Sequence, residues 1–511
     1  MAILLIVAFL LRLYGVDWDQ WGQLHPDERM LMMVTEKISF FTNLNPDFFN
    51  YGSLPVYLLR FFHPSTDYYT LVKTGRYLSI FFDLITVIFV YKISKSIFKK
   101  ESIALASGFF YAIAFFPIQN SHFFVVDVLL TTFTTILAYR MLLFLKKPTF
   151  KGSIIMAVFF AAMMATKFTA IVFLPFIGIL IIWKNFKKPK KLLLLSTGFG
   201  ITFLLFFFIF MPYAFIEGER FLADISQQLK MNSNPYTFPY TLQYVDTLPY
   251  LYYLKNIFFW GLGPVISFCV IVGVINSKKY FKSTGFILLA IFMTFYFLII
   301  GRSAVKFMRY MLPLYPLLTV IAGYGMSRLK ELNKYLAAAV FAFSIIWSLA
   351  FVNIYSYTHT RIAASDWIRK NIPSGSTLAV EHWDDRLPVG DSGSYVFEEL
   401  TLYDQPDDDI KWLTINDKLN RSDYIIIASN RLHVPLSRLT DCQKYKSCYV
   451  KTSEYYDKLF NNRLPYRKVA EFQANPGIKI GKFYIGINDQ SADESFTVYD
   501  HPQIMIFKKL H

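Results

Sequence analysis

Two adjacent carboxylates, Asp27 and Glu28, lie in the stretch Leu24-His25-Pro26-Asp27-Glu28-Arg29, just after the first apolar segment of a strongly hydrophobic chain. Charge close to lipid is costly unless it is paired or used. A carboxylate placed there can take the proton of a hydroxyl. With cations nearby to steady a departing phosphate, it would serve transfer of a group from a phosphate to that hydroxyl. The same residues also suit a helix start, with Pro26 in the first turn and acids at the positive end of the helix. The two readings are compatible. Asp127 is a second acid, in Ser121-His122-Phe123-Phe124-Val125-Val126-Asp127. It opens an apolar segment, and His122 is a candidate partner or ligand. Asp27, Glu28, His122 and Asp127 together would suit a divalent cation, although nothing in their spacing demands one. The cationic candidates for phosphate are Arg76, Lys167, Arg302, Lys306 and Arg309, each at the end of an apolar segment. Tyr51, in Asn50-Tyr51-Gly52-Ser53, is a further candidate for substrate binding.

These residues need a frame, and composition supplies one. Of 511 residues, 54% are hydrophobic and 19% aromatic, with mean hydropathy +0.37. Soluble domains are about 45–50% apolar and lack recurring long apolar runs. Here eleven such segments fall at 2–16, 72–91, 102–118, 123–145, 153–166, 168–183, 192–212, 257–275, 284–301, 309–326 and 335–353. The chain is thus expected to be a polytopic α-helical membrane protein with about 11 spans. The net charge of +16 comes from lysines in short loops between apolar segments. They read as topology and headgroup contacts, not as a nucleic-acid surface. Every second loop is basic: Lys92 to Lys100, Lys146 to Lys151, Lys184 to Lys191, Lys278 to Lys282 and Arg328 to Lys334. The positive-inside rule then predicts a cytoplasmic N-terminus, with loops 17–71 and 213–256 and the C-terminal region outside. The 153–183 stretch splits into two short helices at Lys167, because one long helix would bury that lysine at mid-membrane. Asp27, Asp127 and the five cations then all face the outer side.

The first outer loop carries its own pattern. Met30, Met33, Val34, Ile38 and Phe41 recur at helical spacing, and Val56 to Leu59 form a second short apolar element, predicting two interfacial helices. Glu217 to Lys230 read as an amphipathic helix, followed by a tyrosine-rich stretch that suits an interfacial belt. Beyond 354 the chain turns polar. A helix over 361–370 and strands over 377–381, 424–428 and 503–507 predict an extracytoplasmic α/β domain spanning 355–511. Cys269 lies in an apolar run. Cys442 and Cys448, six residues apart, can bridge if that domain is outside.

Several of these residues resemble a known class. An acidic pair in a long first outer loop is similar to the GT-C class of polyprenyl-phosphate-sugar-dependent glycosyltransferases. The protein O-mannosyltransferases and the bacterial aminoarabinose transferases are the nearest in pattern. So are Gly75-Arg76-Tyr77-Leu78-Ser79, Asp127, Thr166-Lys167-Phe168-Thr169 and Arg309-Tyr310-Met311-Leu312-Pro313. His25-Pro26 departs from the mannosyltransferase pattern. The tail Asp493-Glu494-Ser495-Phe496-Thr497-Val498-Tyr499-Asp500-His501-Pro502 is similar to a C-terminal signature in bacterial members. The resemblance covers residues 1–350 and implies an inverting transfer on the outer face of the plasma membrane. It implies Asp27 as base, Glu28 as second acid, and Lys167 and Arg309 as contacts to donor phosphate. The implied partners are membrane lipid, a polyprenyl-phosphate sugar and a protein, lipid or glycan acceptor. The alternatives are a transporter or flippase of a lipid-linked sugar, and a non-catalytic envelope assembly subunit.

Overall fold

All eleven apolar segments contain helix in the computed structural model, which describes residues 1–65, 67–481 and 483–510. The helices are α1 (Ala2–Leu13), α2 (Pro26–Lys37), α3 (Leu54–Phe62), α4 (Tyr68–Phe98), α5 (Glu101–Ile113), α6 (Phe115–Ser121), α7 (Val126–Lys146), α8 (Phe150–Met164), α9 (Leu174–Asn185) and α10 (Pro189–Phe210). They continue with α11 (Tyr213–Ile216), α12 (Gly218–Ser233), α13 (Leu251–Asn256), α14 (Pro264–Ile275), α15 (Thr284–Gly301), α16 (Tyr315–Leu332) and α17 (Lys334–Val352). Among the described residues seven helices are long and apolar enough to cross a membrane, or eight when the bent pair α5–α6 counts as one. Helices α1 and α8 are apolar but shorter. The two interfacial elements expected in the first loop are α2 and α3, and the amphipathic element after 213 is α12.

The chain divides into two compact units. The first comprises Met1–Val16, Trp21–Lys230 and Leu248–Val352; the second comprises Asp17–Gln20, Met231–Thr247 and Asn353–His511. Within the first unit, the segment expected as one span over 102–118 is broken. α5 ends at Ile113 and α6 departs at 55°. A break in an apolar setting leaves helix carbonyls without amide partners. Arg12 supplies donors: its Nη1 gives hydrogen bonds to Ala112 O (2.9 Å) and Ala8 O (3.1 Å). Its charge is met by Asp83 on α4, whose other oxygen accepts from Tyr111. All three side chains are buried. Arg12→Leu should therefore destabilise the unit by roughly 3–5 kcal/mol, because Asp83 is left as a buried unpaired acid; thermal unfolding in detergent measures it.

The second unit is built on a five-stranded sheet of order β2-β1-β3-β7-β4. The helices here are α18 (Thr360–Asn371), α19 (Asp409–Arg421), α20 (His433–Arg438), α21 (Val450–Phe460) and α22 (Glu494–Thr497). The sheet strands are β1 (Thr377–Glu381), β2 (Val396–Leu400), β3 (Tyr424–Ile427), β4 (Tyr466–Phe472) and β7 (Ile504–Lys509); β5 (Gly477–Ile480) and β6 (Phe483–Gly486) form a separate hairpin. β1 runs parallel to β2 and β3, while β7 is antiparallel to β3 and β4. Alternation along β3 sends Ile425 and Ile427 to one face and Tyr424 and Ile426 to the other. Each face is covered: one by Leu419, Tyr456 and Leu459, the other by Ala364 and Ile368. Leu242 and Val245, from the tyrosine-rich stretch, are part of the first core. Cys442 and Cys448 are disulfide-bonded.

The tail signature folds into this unit. His501 sits between Asp489 (2.7 Å) and Asp500 (3.0 Å), fully buried. Burial opposes its charge, but the two carboxylates more than offset that and push its pKa up to about 10. The native unit thus holds a proton that the unfolded chain releases above the ordinary value of 6.5. Stability from this trio is complete below pH 6.5 and declines as pH rises toward 10. The folding constant should fall by roughly tenfold per pH unit in that window. His501→Gln should flatten the slope in urea titrations at several pH values.

Candidate active site

Helix α2 starts where the sequence places it. His25 is the N-cap, its Nδ1 accepting from the Asp27 amide at 3.1 Å, and Pro26 fills the first turn. Asp27 and Glu28 then point in different directions and take different roles. Glu28 is wholly buried, gripping Arg76 through two bonds, Nε to Oε1 at 3.0 Å and Nη2 to Oε2 at 2.8 Å. It also accepts from the Phe124 amide at 2.8 Å. Arg76 donates on to Val16 O at 2.8 Å. Gly75 allows this grip: a Cβ there would lie 2.8 Å from Met32 and 2.9 Å from Phe124. The fork-to-fork pair therefore locks the first loop onto α4 and the entry to α7.

The Asp27 carboxylate keeps 21% of its surface exposed and meets Arg309 Nη2 at 3.0 Å. Arg309 comes from a 3-10 turn over Met308–Leu314 that leads into α16. Its Nε lies 3.9 Å from Asp127, which receives Lys167 Nζ at 2.7 Å. Asp127 is in the first turn of α7, where the helix dipole favours an acid. Lys167 stands at the break between α8 and the 3-10 turn Phe168–Phe173, flanked by the rings of Tyr310 (4.7 Å) and Tyr51 (6.0 Å). The result is an alternating row of charges, Asp27, Arg309, Asp127 and Lys167, drawn from four elements.

Tyr51 closes the row by hydrogen-bonding Asp27. Burial alone would raise the Asp27 pKa; Arg309, His25, Lys167 and Tyr51 together outweigh it and hold the carboxyl below its ordinary value. Burial, reinforced by the negative charge of Asp27, keeps the Tyr51 phenol well above its usual range, so it remains a donor. The loop bearing Tyr51 is stitched to the Lys167 turn by backbone bonds, Gly52 N to Thr166 O and Leu54 N to Ala165 O, both 3.0 Å. A Cβ on Gly52 would fall 1.9 Å from Ala165 O. Gly52→Ala should push the loop off the turn, costing about 1–3 kcal/mol and separating Tyr51 from Asp27; a melting curve and an activity assay read the two effects.

The remaining expected residues lie outside this row. His122 is buried with Nδ1 2.9 Å from Ile118 O and Nε2 3.0 Å from Tyr14 O. Glu28 is engaged with Arg76. The structure thus keeps Asp27 and Asp127 around Arg309 but does not gather the four residues expected to ring a cation. Among the described residues no group of three or more His, Cys, Asp or Glu is placed to hold a metal ion. Arg302 is exposed at the end of α15. Lys306, three residues before Arg309, is buried, donates to Ala304 O at 2.9 Å, and has its pKa pushed down by burial. Sequence reasoning passed over Arg12 and Asp83; a charge inside an apolar helix was the available signal.

Residues 72–215 match the family described as "Dolichyl-phosphate-mannose-protein mannosyltransferase". That span runs from α4 into α11 and contains Arg76, Asp127 and Lys167. No curated protein matches the chain in sequence. Among solved structures, apo ArnT from Cupriavidus metallidurans is similar over 86% of this chain and 94% of its own, with 12% identity and TM-score 0.50. ArnT bound to undecaprenyl phosphate covers 72% of each chain at 12% identity and TM-score 0.49. Archaeal oligosaccharyltransferase AglB from Archaeoglobus fulgidus, in complex with an inhibitory peptide and a dolichol-phosphate, covers 93% of this chain and 79% of its own at 12% identity and TM-score 0.48. The protein is thus a multi-pass helical membrane protein with a C-terminal sheet-containing unit; its fold is similar to that of ArnT, and its residues 72–215 match the mannosyltransferase family.

Proposed function

We propose that the chain transfers a sugar from a polyprenyl-phosphate donor to an acceptor hydroxyl on the outer face of the membrane, with inversion. The observation that carries this is the part-exposed Asp27 carboxylate at the head of the charge row with Arg309, Asp127 and Lys167. Asp27 takes the hydroxyl proton as the oxygen bonds to the anomeric carbon. The bond from that carbon to the phosphate oxygen breaks, and its electron pair leaves with the polyprenyl phosphate. Arg309 and Lys167 face that developing charge. Glu28 and Arg76 act as positioning residues. The family match over 72–215 supports the class, as does the likeness of fold to ArnT.

The test is release of undecaprenyl phosphate by the purified chain from undecaprenyl-phosphate-linked mannose and aminoarabinose, with and without a membrane extract as acceptor source. Time-dependent release with one donor is expected. No release from either would leave the transporter and the assembly subunit as the standing readings. Lys167→Ala should raise the KM for donor by about tenfold with a smaller change in kcat, as expected for loss of one charged contact; an unchanged KM would remove Lys167 from the phosphate site.

A further inference from the structure

Trp383 has no place in the chemistry above, yet its geometry is unusual. It lies just past the carboxyl end of β1 with φ +81°, a conformation a bulky side chain rarely adopts. Backbone strain of this kind persists where the surroundings impose it, and it concentrates at ligand clamps. The imposing group is Arg431, just after β3. Its Nη1 donates to the Trp383 carbonyl at 3.3 Å while its Nε is held by Glu494 of the tail at 2.6 Å. The strain leaves the indole 41% exposed. Around it lie Phe238, with ring centroids 6.2 Å apart, and Tyr240, which stacks on Phe238 at 5.3 Å. The His382 ring stands edge-on to the indole at 5.4 Å. His382 and Arg386 both reach Glu399 on β2, at 3.2 and 2.9 Å, and all three stay about half exposed. The strand order reverses at β1, and in open α/β sheets ligands bind outside the carboxyl ends at such a point.

An exposed indole that contacts aromatic rings and a His bonded, with an Arg, to one carboxylate is complementary to a pyranose. The sugar presents an apolar C–H face to the ring and a rim of hydroxyls to polar side chains. We propose that the C-terminal unit binds saccharide, a pyranose lying on Trp383 with its hydroxyls on Glu399 and Arg386. Binding there does not depend on the transfer proposed at Asp27.

The test is titration of the full-length chain in nanodiscs with three soluble probes, mannotetraose, maltotetraose and chitotetraose, followed by calorimetry. Saturable binding of at least one is expected. Trp383→Gly should weaken it by at least about tenfold, the scale of one lost aromatic contact, while the chain still melts cooperatively, because glycine adopts this φ freely and relief of strain offsets part of the lost packing. Glu399→Gln should weaken the same probe. Asp27→Asn should leave binding intact, which separates failure here from failure of the transfer reading. No saturable binding by any probe, or binding that survives Trp383→Gly, overturns the proposal.

Discussion

Asp27→Asn should lower sugar transfer by about 10²- to 10⁴-fold, the usual contribution of a positioned general base, with little change in melting temperature. Asn keeps the shape and can still accept from Tyr51, but it cannot take a proton. Arg309 keeps Asp127 at 3.9 Å as a second carboxylate, so losing this pair does not leave the guanidinium without a counter-charge. The pH profile adds a sharper readout. Because neighbouring cations outweigh burial and depress the Asp27 pKa below 3.8, the base form persists across the neutral and mildly acidic range. The acid limb of kcat/KM due to this group should therefore lie below about pH 4. A limb at pH 5–6 that disappears in Arg309→Ala would contradict the charge row as described. Asp27→Glu should restore part of the rate; full activity in Asp27→Asn would sink the base assignment.

Glu28→Ala, one residue away, should behave in the opposite manner. It leaves the Arg76 guanidinium charged, buried and facing an empty space, a loss of about 3–5 kcal/mol for a broken buried pair. The Phe124 amide loses its acceptor as well. We expect a large drop in thermal stability in mild detergent and loss of activity as a consequence. The double variant Glu28→Ala with Arg76→Met should recover part of the stability, because no unpaired charge remains. If Glu28→Ala melted like the native chain and lost only turnover, Glu28 would be a reacting group and not a positioning one.

Much of this was legible before any coordinates. Apolar length marked the helices, and the split at Lys167 followed from the cost of a buried ammonium. The strand over 377–381 came out of alternation and β-branched content. The companionship of Asp27, Asp127, Lys167 and Arg309 was readable because each ends an apolar segment on one predicted side. What the sequence hid were long-range choices. Nothing local says that Glu28 and not Asp27 pairs with Arg76, since adjacent acids differ only in which face of α2 they occupy. The bend after Ile113 was hinted at by Pro117, but a single proline does not tell a kink from a helix end. The tyrosine-rich stretch of the 213–256 loop read as an interfacial belt because tyrosine suits both a membrane surface and the edge of a core; Leu242 and Val245 lie in the core of the second unit.

The buried contact between Arg12 and Asp83 sets an order of assembly. The two residues are 71 apart in sequence, so α1 emerges from the ribosome well before its partner helix exists. Until α4 is made, the guanidinium in the last turn of α1 lacks its buried counter-charge. The helix thus gains a stable seat only when α4 arrives with Asp83 and α5 with its open carbonyls. A nascent chain released before residue 83 lacks the counter-charge that holds α1 in place.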